Sequence, residues 1–294
     1  MSLRVIRHLP SAPRVRAAAL FAAASGGAVL VGCIVAAAHD LPAALWARNA
    51  GAWGFGALVA ALLARSTTPR TLHACLWLAT AVVATTLLSG GLSGVHRWIG
   101  IGPVRLNAAW LLLPMMVVAW TDAVSRRVPL WGVAPVISTL LALQPDASQA
   151  VALTGAVIAV LLALRVSRGF GLVCAAVPVV AALMAVLRLD PLQPVPEVEG
   201  IIGLALETSP VLALLAVVAL ACAVLSPLAA VAGQRGASRA AALGLTVYLA
   251  LSALAPWVGA FPVPLVGMGV SPILGAWCGI GLLAGLAQPP RPPG

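Results

Sequence analysis

Long apolar segments follow one another along almost the entire chain, and this pattern constrains the fold more than any other feature. A helix that crosses a bilayer needs about 20 apolar residues. Only 8% of the 294 residues are charged and the mean hydropathy is +1.08, which excludes a soluble domain and a disordered chain. The sequence therefore predicts an all-α polytopic membrane protein, a bundle of about ten transmembrane helices. The ten apolar segments lie near residues 17–38, 43–64, 71–90, 106–121, 128–143, 149–164, 169–187, 208–232, 240–257 and 265–287.

The distribution of charge predicts how the bundle is oriented. All 17 basic residues are arginine. With the N-terminus in the cytoplasm, 13 arginines lie in cytoplasmic stretches, while Arg48, Arg97, Arg105 and Arg188 lie on the outer side. Of the seven acidic residues, Asp122 alone falls on the cytoplasmic side. Because arginines in short loops mark the cytoplasmic face, both termini are predicted to be cytoplasmic. The net charge of +10 then reports membrane topology and gives no reason to expect a nucleic acid partner.

The chain divides into one membrane domain and two short tails. We predict a basic cytoplasmic tail over residues 1–16, a ten-span domain over residues 17–288 and a proline-rich cytoplasmic tail over residues 289–294. Without any lysine the chain lacks the phosphate-binding loop of an ATPase. The five cysteines form no motif with metal-ligand spacing, so no metal site is predicted.

The first outer segment with chemical content covers residues 94–105 (GVHRWIGIGPVR). Arg97 and Arg105 are basic residues on the side that should lack them. Such an exception favours a local use, for example a guanidinium that binds a phosphate. The alternative is that Trp98 lies at the headgroup level and that Arg97 neutralises outer acidic residues. The sequence favours neither reading.

Two further outer segments carry carboxylates. Asp146 follows Gln144 and Pro145 at the end of the fifth span. It is a candidate site residue, and the alternative is that it caps the next helix. Residues 188–200 (RLDPLQPVPEVEG) form the longest acidic stretch, and Glu207 follows at the start of the eighth span. A carboxylate near the membrane surface loses hydration, which raises its pKa and suits a general base. The alternative is an ordinary solvated acidic loop.

These segments resemble the motifs of the SEDS family (shape, elongation, division and sporulation) of FtsW- and RodA-like membrane proteins. R-W-I-G-I-G at residues 97–102 is similar to the R-W-I-G-L-G that members carry before the fourth span. Q-P-D at residues 144–146 is similar to the family's Q-P-D between spans five and six. Two weaker matches lie at residues 195–207 and 262–271, so the resemblance extends over nearly the whole chain from about residue 16.

The chain also departs from the family pattern. The Q-P-S-E that opens the family's fourth span is N-A-A-W at residues 107–110, and the outer loop after span seven is short. The H-T-D that carries the family's essential aspartate is absent as written. In the family, the next glutamate follows that aspartate eight positions later. If this chain lacks two residues after Val198, the same spacing separates Glu199 from Glu207. The resemblance then places Glu199 where the family has its catalytic aspartate.

The resemblance implies a glycosyltransferase that polymerises the lipid-linked disaccharide-peptide precursor of peptidoglycan at the outer face of the bacterial inner membrane. Its implied base is Glu199. Its implied substrate contacts are Arg97, Trp98, Arg188, Asp146, Glu197 and Glu207. The implied partners are the precursor, membrane lipids and a single-span transpeptidase. No cofactor is certain, although Mg²⁺ or another divalent cation commonly accompanies a pyrophosphate.

Two other classes of function stay open. The eroded motifs and the short loop fit a non-catalytic SEDS relative that acts as a scaffold for cell-wall or division proteins. A polytopic transporter or lipid flippase is the further alternative. Ion-coupled transporters carry ionisable residues at the bilayer midplane, whereas the acidic residues of this chain cluster at its outer surface. A flippase needs only a groove, so the placement of the acidic residues does not exclude it.

Overall fold

The computed structural model describes residues 13–102, 104–188 and 190–287. Within these residues the chain forms twelve α-helices, two short 3₁₀ turns and one two-stranded antiparallel hairpin. The C-terminal tail predicted for residues 289–294 lies outside the described residues, as do residues 1–12 of the predicted N-terminal tail. The prediction of an all-α polytopic membrane protein is confirmed.

Ten long helices account for the ten predicted apolar segments, one helix for each. Their boundaries differ from the predicted ones by a few residues because apolar composition marks the centre of a helix better than its ends. They are α1 Pro13–Ala38, α2 Ala43–Ser66, α3 Pro69–Thr86, α4 Ala108–Ser125, α5 Val133–Leu143, α6 Ala147–Ala163, α7 Arg168–Val186, α10 Pro210–Ala230, α11 Ala237–Leu254 and α12 Val270–Leu286.

Several helix starts follow from side chains that cap exposed backbone N–H groups. The hydroxyl of Thr68 accepts a hydrogen bond from the N–H of Thr71, and α3 then begins at a proline. Asn107 caps α4 and Asp146 caps α6 in the same manner. Such a cap satisfies a donor that has no partner inside the helix.

Among the residues that the structure describes, five helices are long and apolar enough to cross a bilayer by length and composition alone, and three further apolar helices are shorter. Helix α7 shows the lipid-facing pattern most clearly, since Leu172, Val173, Val180 and Leu183 are all more than half exposed. In water such a surface would be unfavourable, whereas in hydrocarbon it costs nothing.

Helices α4 and α12 form the centre of the bundle. Nearly every side chain of α4 is buried. Helix α12 packs against both α4 and α2. Glycines allow the backbones to approach closely, because a Cβ on Gly275 would clash with the carbonyl oxygen of Trp110 and one on Gly281 would lie 2.7 Å from the Ala60 backbone. Small residues at helix contacts are the usual basis of packing within a membrane.

One end of the bundle contains structure that the apolar pattern does not predict. Strands β1 Trp98–Ile101 and β2 Val104–Asn107 form a hairpin in a segment for which the sequence predicts no strand. Two short helices, α8 Pro196–Glu199 and α9 Ile201–Thr208, precede α10. A break at Ser209, whose hydroxyl caps α10, separates α9 from the eighth long helix.

We expect Gly275→Ala to lower the thermal stability of the purified protein, because the added methyl group overlaps backbone atoms of α4 that cannot move aside. Overpacking of this kind costs about 1–3 kcal/mol. Gly27→Ala is the matched control, since its Cβ would meet the Ala219 Cβ at an ordinary 3.6 Å. Thermal unfolding in detergent measures both variants, and equal melting temperatures for them would contradict the packing that we describe.

Candidate functional site

The hairpin carries the first group of site residues. Trp98 pairs with Asn107 and Gly100 pairs with Arg105, so these four residues share one face of the hairpin. Gly102 supplies a positive φ of 57° at the turn. The hairpin joins directly to α4, because Asn107 ends β2, caps α4, and donates its backbone N–H to the hydroxyl of Ser271 at 2.9 Å.

Arg97, immediately before β1, is the best-buried cation of the site. Its side chain is 8% exposed and its Nη1 lies 2.8 Å from Oδ2 of Asp190. Its Nε lies 3.8 Å from Oδ2 of Asp146, and its Nη2 donates to the carbonyl oxygen of Pro145. One guanidinium therefore joins the hairpin, the α5–α6 turn and the segment after α7. This geometry fits the reading in which Arg97 neutralises acidic residues, and its contact with a phosphate stays a prediction.

Asp146 is a helix cap as well as an ion-pair partner. Its Oδ1 accepts hydrogen bonds from the hydroxyl of Ser148 at 3.2 Å and from the N–H of Gln149 at 3.4 Å. The side chain of Gln149 in turn accepts a hydrogen bond from the hydroxyl of Tyr248 on α11. These groups are buried, so the hydrogen bonds hold the carboxylate in one position.

The segment that carries Glu199 is fixed by backbone hydrogen bonds to the loop between α11 and α12. The carbonyl of Glu197 accepts from the N–H of Met268 at 2.9 Å, and the carbonyl of Val198 accepts from the N–H of Val263 at 3.0 Å. Gly267 packs against the same segment, because a Cβ there would lie 2.5 Å from the carbonyl oxygen of Val198. Helix α8 is therefore held against the bundle rather than free in solvent.

A cavity of about 510 Å³ with several charged side chains in its lining opens between these elements, and we call it the central cavity. Its ionisable lining residues are Arg97, Arg105, Asp146, Asp190 and Glu199. Trp98, Trp110 and Ser271 are among its other lining residues. The cavity brings together side chains from four separate parts of the sequence.

A second cavity of about 610 Å³, which we call the apolar groove, lies between α9, α10 and α11. Among the residues that the structure describes, Glu199 is the one ionisable side chain of its lining, and the rest are apolar or glycine. Its other lining residues include Ile202, Leu206, Leu220, Val224, Leu254 and Trp257. Because Glu199 also lines the central cavity, this carboxylate lies where a cavity with charged side chains meets an apolar groove.

The surroundings of Glu199 raise the pKa of its carboxyl above the ordinary value for glutamate. Partial burial is the largest cause, and the negative charges of Glu197 and Asp190 add to it. Backbone hydrogen bonds oppose the rise, including the one that Val195 donates to the Glu199 Oε2 at 2.6 Å. A carboxyl with a raised pKa accepts a proton more readily than an ordinary one, as a general base requires.

Four of the seven predicted site residues lie together in the central cavity. Arg97, Trp98, Asp146 and Glu199 all line it. The fifth, Glu197, lies beside Glu199 on α8, and its backbone rather than its carboxylate makes the contact to Met268.

The other two predicted residues lie elsewhere. Arg188 donates a hydrogen bond to the carbonyl of Ala142 at 3.0 Å and lines a separate groove beside α5 and α7. Glu207 is exposed on α9 and does not line either of the two cavities named above. The resemblance assigned both residues to the site. For Glu207 it used an eight-residue step along the sequence, which carries no information on the bend between α8 and α9.

Three residues that line the central cavity are not among the seven predicted site residues, although Arg105 stood out in the sequence as a candidate phosphate-binding arginine. Asp190 pairs with Arg97, Ser271 accepts from the hairpin, and Arg105 extends from β2. The occurrence of Arg105 on the outer side was a usable signal. Nothing in the local sequence of Asp190 or Ser271 distinguishes them from ordinary loop and helix-start residues.

The parts of the chain that the structure describes contain no group of three or more His, Cys, Asp or Glu side chains that could hold a metal ion. Both aspartates of the central cavity already share the charge of Arg97. A divalent cation carried by a pyrophosphate stays a prediction.

Comparison with known proteins identifies the fold. No family model matches the sequence, and no curated protein matches it. The structure is similar to the crystal structure of the rod shape determining protein RodA of Thermus thermophilus, with a TM-score of 0.69 and 18% sequence identity over 91% of this chain and 95% of that chain. An aspartate-to-alanine variant of the same RodA matches equally well, with the same TM-score and identity.

A further match is a structure from work on the structural coordination of polymerization and crosslinking by a peptidoglycan synthase complex. It has a TM-score of 0.62 and 20% identity over 91% of this chain and 96% of that chain. The fold and the site thus define a polytopic membrane protein in which a cavity with charged side chains lies beside an apolar groove. The fold is that of RodA, and the resemblance found in the sequence is confirmed at this level.

We expect Arg97→Gln to destabilise the protein strongly, because it leaves the 2%-exposed carboxylate of Asp146 without its cation. Removing one partner of a buried ion pair costs about 3–5 kcal/mol. Thermal unfolding in detergent should show a large fall in melting temperature for Arg97→Gln and little change for Arg48→Gln, which removes an exposed arginine. Adding Asp146→Asn and Asp190→Asn to Arg97→Gln should recover part of the loss. An Arg97→Gln protein as stable as the parent would contradict this account.

Proposed function

We propose that the chain is a SEDS-family glycosyltransferase that polymerises the lipid-linked disaccharide-peptide precursor of peptidoglycan. The observation that carries the proposal is the position of Glu199 at the junction of the central cavity and the apolar groove. The RodA fold supports the family, and the similarity to a peptidoglycan synthase complex that coordinates polymerization with crosslinking supports the reaction.

The reaction needs a base, and Glu199 is our choice. In the proposed step its carboxylate takes the proton of an acceptor sugar hydroxyl while that oxygen forms a bond to the anomeric carbon of the donor. The bond from this carbon to the pyrophosphate oxygen breaks, and the polyprenyl pyrophosphate leaves with the electron pair. A base positioned in this manner contributes about 10²- to 10⁴-fold to a rate.

The two cavities suit the two halves of such a substrate. The central cavity offers charged and hydrogen-bonding groups to sugars and to the pyrophosphate, while the apolar groove offers aliphatic side chains to a polyprenyl chain. A lipid-linked sugar has its polar–apolar junction at the pyrophosphate. This junction would lie near Glu199, where the two cavities meet.

The partner and the location follow from the same comparison. We propose that the protein acts in the bacterial inner membrane with a transpeptidase, because the matched structure belongs to a complex that couples polymerization to crosslinking. The outer position of the site rests on the arginine distribution described above.

Glu199→Gln should abolish polymerisation, with a loss of at least about a hundredfold. Glutamine retains a side-chain oxygen that can accept the hydrogen bond from Val195, so the local backbone should be preserved. The assay uses the purified protein with a co-purified transpeptidase and lipid-linked precursor, in Mg²⁺ and in EDTA. Asp40→Asn is the matched control, since it removes an exposed carboxylate from the outer end of α1.

The outcomes separate the candidate functions. Polymer from the parent and Asp40→Asn, but not from Glu199→Gln, supports the proposed enzyme. Polymer from all three keeps the transferase but excludes Glu199 as the base. If none forms polymer while RodA is active under the same conditions, the non-catalytic scaffold becomes the better reading.

The acidic limb of the pH–activity profile should lie at higher pH than an ordinary exposed glutamate would give, because activity requires Glu199 to be ionised and its pKa is raised. Glu197→Gln removes a negative charge that contributes to the rise, so it should move the limb to lower pH. Initial rates measured across pH for the parent, Glu197→Gln and Asp40→Asn test this. A shift in the opposite direction for Glu197→Gln, or an equal shift in the Asp40→Asn control, would overturn the assignment.

A further inference from the structure

A cleft between α6 and α7 lies at the end of the bundle opposite the hairpin, and we call it the α6–α7 groove. Helix α6 starts at Asp146, which pairs with Arg97 beside the hairpin, so the link from α6 to α7 lies at the far end. The groove has a volume of about 350 Å³. Among the residues that the structure describes, Ser167 and Arg168 are the polar members of its lining, and the others are apolar or glycine.

The α6–α7 groove faces the surroundings of the bundle rather than its core. Leu162 of α6 and Leu172 of α7 both line it, and they are 72% and 70% exposed. The start of α7 is held in place by Phe170, whose ring meets that of Trp131 edge to face with the ring centroids 5.7 Å apart. In a bilayer the groove is therefore a preformed cleft that opens to hydrocarbon.

Two arginines belong to this end of the groove, and the chain supplies no free carboxylate for them. Arg168 lines the groove, and Arg165 lies three residues before it. Both are exposed, and within the part of the chain that the structure describes their side chains form no ion pair and no hydrogen bond. Asp122 is the one acidic residue that the sequence places at this end, and it is buried and pairs with Arg126 at 2.8 Å. The positive charge of the link is therefore available to an anion from outside the chain.

The combination of an apolar cleft and unpaired guanidinium groups determines which ligand fits. An acyl chain gains van der Waals contacts in the cleft, and a phosphate matches the guanidinium fork. A membrane-spanning helix would fill the cleft but leave both arginines unmatched unless it carried a carboxylate at their level. The groove beside α5 and α7 differs, because its Arg188 already donates to the carbonyl of Ala142.

We propose that the α6–α7 groove binds an anionic phospholipid, with an acyl chain between the helices and the headgroup phosphate at Arg168 and Arg165. The arginine distribution predicts that this end of the bundle is cytoplasmic, so the lipid would come from the inner leaflet. The site uses neither Glu199 nor the central cavity. It is therefore independent of the proposed glycosyltransferase function, and its test needs no catalysis.

Native mass spectrometry of the full-length protein in dodecyl maltoside tests the proposal. The probes are dioleoyl phosphatidylglycerol and dioleoyl phosphatidylcholine, which share their acyl chains and differ in headgroup charge. One arginine near a charged membrane surface contributes about fivefold to binding, so two should give phosphatidylglycerol an advantage of at least about tenfold in the parent. Arg168→Gln should weaken phosphatidylglycerol about fivefold, and the double variant with Arg165→Gln should lose the preference.

Matched variants control for general changes of charge and of folding. Arg70→Gln removes an exposed arginine from α3 at the same end of the bundle, and it should bind like the parent because Arg70 does not line the α6–α7 groove. At position 165, where φ is 51°, glutamine has the same backbone restrictions as arginine, so the substitution changes the charge alone. The double variant should bind phosphatidylcholine like the parent, which also shows that it is folded.

Two glycines of α7 test the apolar half of the site. Gly171 lines the groove, and a Cβ there would lie 3.4 Å from Cγ2 of Val166. Gly171→Leu should therefore fill the groove and weaken the binding of both lipids. Gly169→Leu is the control and should bind like the parent, because Gly169 does not line the groove and its Cβ would meet nothing within 4 Å.

The proposal is wrong if the parent binds the two lipids equally, or if the double variant keeps the preference for phosphatidylglycerol. It is also wrong if Arg70→Gln weakens phosphatidylglycerol as much as Arg168→Gln does, or if Gly171→Leu binds both lipids like the parent. Gly171→Leu has one further informative outcome. If it releases a second copy of the chain or the co-purified transpeptidase while lipid binding is unchanged, the groove is a contact for a protein helix and not for a phospholipid.

Discussion

The end of the bundle that bears the hairpin depends on one buried guanidinium. Arg97 reaches Asp190 at 2.8 Å, Asp146 at 3.8 Å and the carbonyl of Pro145, and these partners belong to two different loops. Burying a charge is costly unless it is matched, so none of the three side chains is stable in its position without the others. The ion pairs thereby fix the hairpin, the start of α6 and the segment leading to Glu199 relative to each other. The central cavity is the space that remains between them.

Glu199 takes its character from this arrangement rather than from its own sequence neighbours alone. Helix α8 is held by backbone hydrogen bonds to the α11–α12 loop, which keeps the carboxylate between a polar and an apolar environment. The apolar side reduces its hydration, and Asp190, although paired with Arg97, still adds negative potential. A group that must exchange a proton near neutral pH benefits from both effects. The structural ion pairs and the candidate chemistry are therefore parts of the same arrangement.

The sequence predicts the membrane-embedded part of the fold well, because apolar length and charge placement are local properties that the bilayer imposes. It does not predict the hairpin, since residues 98–107 are too short and too rich in glycine to show a strand pattern. Arg97, Trp98, Asp146 and Glu199 could be assigned from motifs, whereas the pairing of Arg97 with Asp190 joins residues 93 positions apart and has no local signature. Glu207 and Arg188 were wrongly expected at the central cavity for a related reason. The sequence does not reveal the bend at Gly200 or the turn after α7, which place these two residues elsewhere.

The apolar groove has a consequence for how any ligand would arrive. Several of its lining side chains, including Leu206, Val217, Leu225 and Trp257, are also exposed on the outside of the bundle, so the groove is open sideways. A molecule with a long hydrocarbon tail could enter from the bilayer without passing through water. Its supply would then be governed by diffusion in two dimensions and by its mole fraction among the lipids, rather than by its concentration in bulk solution. Diluting the membrane with inert lipid would slow such a protein, whereas diluting the suspension would not.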